Sequence, residues 1–92
     1  MLSWPSKDPD ERVDYQIDWV TNRLEDGETI TTSQWSVESG DVTIDQDEEL
    51  DGITTVWLIG GTINTTSILL NRIATSGGRT YDQSVRLRIR MH

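Results

Sequence analysis

The sequence predicts one all-β domain of about seven strands, a β-sandwich or a small barrel. Three observations carry this. Apolar and polar residues alternate at period two in the best-patterned segments. Turn residues recur at roughly the 8–12-residue spacing of a multi-stranded all-β fold. Four tryptophans, Trp4, Trp19, Trp35 and Trp57, with no Phe, give a chain of 92 residues enough aromatic area for a compact core.

Residues 1–12 hold Pro5 and Pro9 among Ser and Asp. Proline lacks an amide donor and restricts the residue before it, so this segment is expected to be an extended N-terminal arm, with the sandwich over residues 13–92. Trp4, an aromatic on a polar arm, is expected to dock on its own domain or on a partner. In residues 13–20, Val13, Tyr15, Ile17 and Trp19 alternate with Asp14, Gln16 and Asp18, as in a half-buried strand. Glu25-Asp26-Gly27-Glu28 marks a turn. Residues 29–38, with Ile30, Trp35 and Val37, read as one interrupted strand or two short ones. Ser39-Gly40-Asp41 turns the chain, and Val42-Thr43-Ile44 starts a short strand.

The acidic run Asp45 to Asp51 follows and reads as a solvated loop. Ile53 to Ile59 is apolar on both faces, which suits a central strand or one against which another chain packs. Gly60-Gly61 ends it. Residues 66–75 fit a strand by their Thr and Gly surroundings, although hydrophobicity alone also allows a helix. Ser76-Gly77-Gly78-Arg79 signals a hairpin. Last, Tyr81, Val85, Leu87, Ile89 and Met91 alternate with Asp82, Ser84, Arg86, Arg88 and Arg90, the clearest strand pattern in the chain. If the strands at 13 and 85 lie side by side, Asp14 and Asp18 face Arg86, Arg88 or Arg90.

The formal net charge is −8, which argues against a general binder of nucleic acid or anionic membrane. Its distribution is uneven. Residues 1–51 carry fifteen of the sixteen acids and three bases, whereas residues 52–92 carry five arginines and one acid, Asp82. Such a chain pairs its own halves or shows neighbours two faces of opposite sign. There is no Cys, which removes disulfides, thiolate metal sites and a cysteine nucleophile. The first residues have no apolar run of the signal-peptide kind, and no segment approaches the roughly 18 apolar residues of a membrane span. Synthesis in a cytoplasm, as a soluble protein, is the expectation.

Three chemistries come into question for this sequence. Asp45, Asp47, Glu49 and Asp51 offer oxygen ligands at alternating positions, as calcium loops do, but an EF-hand needs Gly sixth and Glu twelfth, and Leu50 and Val56 stand there. No metal and no cofactor is therefore expected, with those four carboxylates as a weak candidate. The one His, His92, ends the sequence, and a mobile imidazole cannot serve a nucleophile. No catalytic motif is present, so no enzymatic activity is expected. Arg86, Arg88 and Arg90 form a basic stripe, yet without interleaved aromatics in an acidic chain they suit an acidic protein surface better than nucleic acid.

Several stretches together carry a resemblance: Lys7 to Trp19, Ile30 to Val37, Thr55-Val56-Trp57-Leu58-Ile59-Gly60-Gly61-Thr62, Asn71 to Thr80, and the arginine-studded last strand. The chain resembles small phage and prophage proteins of the fiber–tail adaptor, or head–tail-region, family. The resemblance implies an immunoglobulin-like β-sandwich and a virion structural role without catalytic residues. It implies contacts with other virion proteins of the capsid, neck, tail or fiber, in many copies or as a homo-oligomer, after synthesis in the host cytoplasm. Trp4, Arg79, Arg86, Arg88 and Arg90, with the acidic run 45–51, are the expected contact residues. The alternative is a free-standing immunoglobulin-like module for a glycan or cell-surface ligand, calcium-dependent if the four carboxylates bind metal.

Overall fold

The structure, a computed structural model, describes residues 2–91, leaving aside the side chain of Asn22; His92 lies outside the described residues. Seven strands form two sheets: β1 (Leu2–Lys7), β2 (Val13–Asp18), β3 (Ile30–Ser39), β4 (Val42–Leu50), β5 (Ile53–Gly60), β6 (Thr66–Thr75) and β7 (Thr80–Ile89). One sheet has the order β1-β7-β6-β3 and the other β2-β5-β4. All pairings are antiparallel except β1 with β7, which is parallel. The all-β sandwich predicted from periodicity is therefore the fold.

Period-two alternation places the core. On β6, Ser67, Leu69, Asn71, Ile73 and Thr75 are buried while Arg72, between two of them, is exposed. On β7, Val85, Leu87 and Ile89 are buried, and Arg86 and Arg88 face out. From the other sheet, Tyr15, Ile17, Val56 and Leu58 meet them. Full burial of each such aliphatic side chain is worth about 1.5–3 kcal/mol.

The centre of this core is polar. Asn71, fully buried on β6, accepts at Oδ1 from the Trp19 indole N–H (3.0 Å) and the Thr54 hydroxyl (2.7 Å). Its Nδ2 donates to Ser33 Oγ (3.1 Å) and to the Gln34 carbonyl (3.0 Å). The Trp19 N–H is shared with Thr54 Oγ1 at 3.1 Å. Thr54 belongs to one sheet, and Asn71, Ser33 and Gln34 to the other, so one amide bonds the sheets together.

The structure departs from the sequence expectations at three elements. The expected arm over residues 1–12 is, over Leu2–Lys7, an edge strand of the sandwich. Two groups dock it. Trp4 stacks on Tyr15 at a centroid distance of 4.6 Å and an interplanar angle of 7°. Lys7 is completely buried, and its ammonium donates to the Asp8 (2.7 Å) and Gly60 (2.8 Å) carbonyls. Burial lowers the Lys7 pKa against the opposing pull of Glu11, Asp8 and Asp10.

The strand expected over 13–20 ends at Asp18. Trp19–Asn22 is a helical turn, because the Asp18 carboxylate accepts from the Thr21 N–H at 3.2 Å and so caps it. Residues 30–39 form one ten-residue strand whose register shifts between Ile30 and Thr32 and between Val37 and Ser39, the interrupted single strand of the two expected forms. The acidic run expected as a loop continues β4 to Leu50: the long apolar β5 needs a backbone partner, and an edge strand can carry carboxylates into solvent.

Gly40, in the β3–β4 turn, has φ +89°, and a Cβ there would lie 2.7 Å from the Ser67 Cα. Two stability tests follow from these contacts. Asn71→Leu, which removes the acceptor that the Trp19 and Thr54 donors share and the amide donor to Ser33 and the Gln34 carbonyl, is expected to lower unfolding free energy in urea by about 2–4 kcal/mol. Gly40→Ala, which meets both a left-handed backbone and β6, is expected to cost about 1–3 kcal/mol by the same assay.

Candidate functional site: two charged sheet faces

Among the described residues, no strand or helix covers the outer face of either sheet. On the four-stranded sheet, Arg86 and Arg88 project outward from β7, and Arg90 just beyond it is exposed. Ile68 lies opposite Arg86 across the β6–β7 ladder, and Leu70 lies opposite Ser84. These two apolar residues are half-buried and outward, since their neighbours Ser67, Leu69 and Asn71 point into the core. Arg72 shares this face but is held by Asp82, with Nε–Oδ1 at 2.8 Å and Nη2–Oδ2 at 2.9 Å. That pair holds the Asp82 carboxyl below its usual range and raises the Arg72 guanidinium. Arg86, Arg88 and Arg90 have no ion-pair partner among the described residues.

The three-stranded sheet shows the opposite sign. Ile53, Thr55, Trp57 and Ile59 run outward along β5. Asp14, Gln16 and Asp18 stand beside Trp57, Thr55 and Ile53 on β2, and Gln46 and Glu48 stand beside Trp57 and Thr55 on β4. Arg12 lies over the Trp57 ring, 5.8 Å from its centroid, and is paired with Asp45 at 2.8 Å. An apolar row is thus bordered on both sides by carboxylates.

The expected contact residues divide. Arg86, Arg88 and Arg90 stand together as the stripe foresaw. Arg79 does not join them: it lies at the other end of β7, bonded to Glu28 at 2.9 Å. Trp4 is spent on its own domain, against Tyr15 and Trp35. The suggested pairing of Asp14 and Asp18 with the arginines is not made, because β2 lies in the other sheet and β7 is flanked by β1 and β6.

The weak calcium candidate is also dispersed. Asp45 pairs with Arg12, and Glu49 accepts from the Gly52 N–H at 3.0 Å. Asp47 and Glu49 register on the side of β4 opposite Glu48. No three His, Cys, Asp or Glu side chains converge on a cation position among the described residues.

Sequence reasoning named Ile53 to Ile59 as a strand against which another chain could pack, but left Trp57 and its row out of the contact residues. The signal was present, since Ile53 to Ile59 is apolar at both parities and only one parity can face the core. A smaller feature lies at one tip, where Val20 (53% exposed) and Leu50 (68% exposed) border a cleft of about 490 Å3 with Glu49 and Asp51.

Comparison with known proteins adds a family and a fold. The sequence profile described as podophage GP4 fiber-tail adaptor protein gp77 matches residues 7–88. The solution structure of the PKD domain from KIAA 1837 protein superposes with a TM-score of 0.54 at 16% identity, covering 99% of this chain and 78% of that one. At that identity the likeness supports the immunoglobulin-like sandwich and nothing further. No curated protein matches the chain.

The Glu28 cluster sets the acid stability of the β6–β7 hairpin. The Glu28 carboxylate accepts from the Thr75 hydroxyl (2.5 Å), the Glu25 N–H (2.9 Å) and Arg79. These bonds, the Thr75 one first, lower its pKa from 4.5 to about 2. A carboxylate with a depressed folded pKa stabilises the fold above its unfolded value, and that contribution is lost as the pH falls through the folded one. Wild type is therefore expected to exceed Glu28→Gln in urea midpoint above pH 4.5, with the gap closing as the pH falls towards about 2.

Proposed function

Because the chain belongs to the podophage GP4 fiber-tail adaptor protein gp77 family, we propose that it is a non-enzymatic connector in a phage tail, joining fiber and tail proteins by surface contact. The observation that carries the reading, beside the family, is the pair of uncovered faces. A connector needs separate surfaces for separate neighbours. This sandwich offers an arginine face on one sheet and a carboxylate-bordered apolar face on the other, back to back. Complementary charge raises encounter rates and rejects wrong partners, which suits ordered assembly.

The glycan-binding alternative has no observation in its favour. Trp19 is buried, Trp4 and Trp35 pack on the core, and Arg12 lies over Trp57. A sugar platform needs an open aromatic face.

The test is assembly with and without the chain. Particles produced in its absence are expected to keep their tails and lack fibers, with fibers restored when purified protein is added back. Particles that carry fibers normally in its absence would overturn the reading.

A further inference from the structure

The two outer faces fit each other. We propose that the partner of the arginine face is the carboxylate-bordered face of a second copy of this chain, so that copies stack front to back. The proposal takes its biological setting from the adaptor reading above, but its physical argument stands on the faces alone.

Each face has an apolar centre, Ile68 and Leu70 on one and, on the other, Ile53 and Ile59 flanking Trp57, over whose ring Arg12 lies. Around the first stand Arg86 and Arg88, without an ion-pair partner among the described residues, and around the second Asp14 and Glu48, with Arg12 neutralised there by Asp45. Alternate residues on a strand are about 6.6–7 Å apart, so the arginines form a row that a carboxylate-bearing sheet can meet. Two sheets already pack face to face in this way within the molecule, and the same geometry serves between molecules.

Charge also decides the symmetry. Two arginine faces repel, as do two carboxylate faces, so a two-fold dimer through either is disfavoured. What remains is a heterologous contact, which closes into a ring or grows as a stack. Three strands about 4.8 Å apart and about 26 Å long make a face of about 370 Å2, so two faces together bury about 750 Å2, well below the roughly 1,200 Å2 of a stable specific contact. One contact is therefore weak. Closure, in which every copy makes two, supplies the cooperativity that a single pair lacks.

The experiment uses the purified chain with no other virion protein. Sedimentation would follow wild type, an Arg86→Glu/Arg88→Glu variant and an Asp14→Arg/Glu48→Arg variant, all at exposed positions, with near-UV circular dichroism confirming that each is folded. Wild type at high concentration is expected to gain at least about twofold in average mass on moving from about 300 mM to about 20 mM NaCl. Each variant alone carries two faces of like sign and is expected to stay monomeric. Mixed one to one, each variant's altered face meets a complement on the other, and association is expected to return.

A wild-type monomer at low salt, variants that associate as wild type does, or a mixture that stays monomeric would each overturn the proposal. Should either variant not fold, the wild-type salt series decides alone. Failure here leaves the adaptor reading standing, since other tail proteins are absent from the tube. Failure of the particle experiment leaves the stacking result untouched.

Discussion

The buried Asn71 amide is the constraint on which the rest of the structure depends. A sandwich of aliphatic faces tolerates sliding, because dispersion and burial are nearly indifferent to register. A side chain with two acceptor lone pairs and two donors is not indifferent. Asn71 meets Trp19, Thr54, Ser33 and the Gln34 backbone, and those four partners come from both sheets. A slip of one residue in β3 or β6 would bury several unpaired polar groups at once. The outer faces inherit this fixed register: Arg86 lies beside Ile68, and Asp14 beside Trp57, because the inner face admits one alignment.

The closing of the open flank is a second, separate device. β1 adds to β7 in parallel, and its end is secured by a lysine rather than by an apolar anchor. The Lys7 ammonium reaches the Gly60 carbonyl of the opposite sheet, while the Lys7 carbonyl accepts from the Arg90 N–H at 2.8 Å. The Tyr15 hydroxyl donates to the Pro5 carbonyl at 2.9 Å, and its burial, with Glu11 nearby, raises its pKa to about 12. Proline is tolerated in β1 because an edge strand has an unpaired side.

Much of this was legible in the residues. Alternation located β2 and β7, the apolar run and the Thr and Gly surroundings located β5 and β6, and the glycine pairs at 60–61 and 77–78 ended those two strands. The arginine row was visible for the same reason: a strand with three aliphatic positions inward must turn the intervening residues outward. What was not legible depended on partners distant in sequence. Pro5 and Pro9 suggested an arm because nothing local says that β7 has a free edge. Asp45 to Asp51 suggested a loop because local charge outweighs local β-propensity, whereas the hydrogen-bonding demand of β5 decides the matter. Asp18 was read as an outward strand residue, yet Asp is equally a preferred helix N-cap, and its carboxylate takes that role here.

The placement of β7 has a consequence for how such a protein is made. This strand comes last of the seven, and it sits inside its sheet, between β1 and β6. Until it has been synthesised, β1 has no neighbour, and the aliphatic faces of β5 and β6 lack their cover. A nascent chain stalled before Val85 therefore holds every other strand but no closed core, and its long edges are open to like chains. Folding must wait for the whole domain to leave the ribosome. The last of the seven strands to be made is thus the one that joins β1 to its sheet and brings Val85, Leu87 and Ile89 to the core.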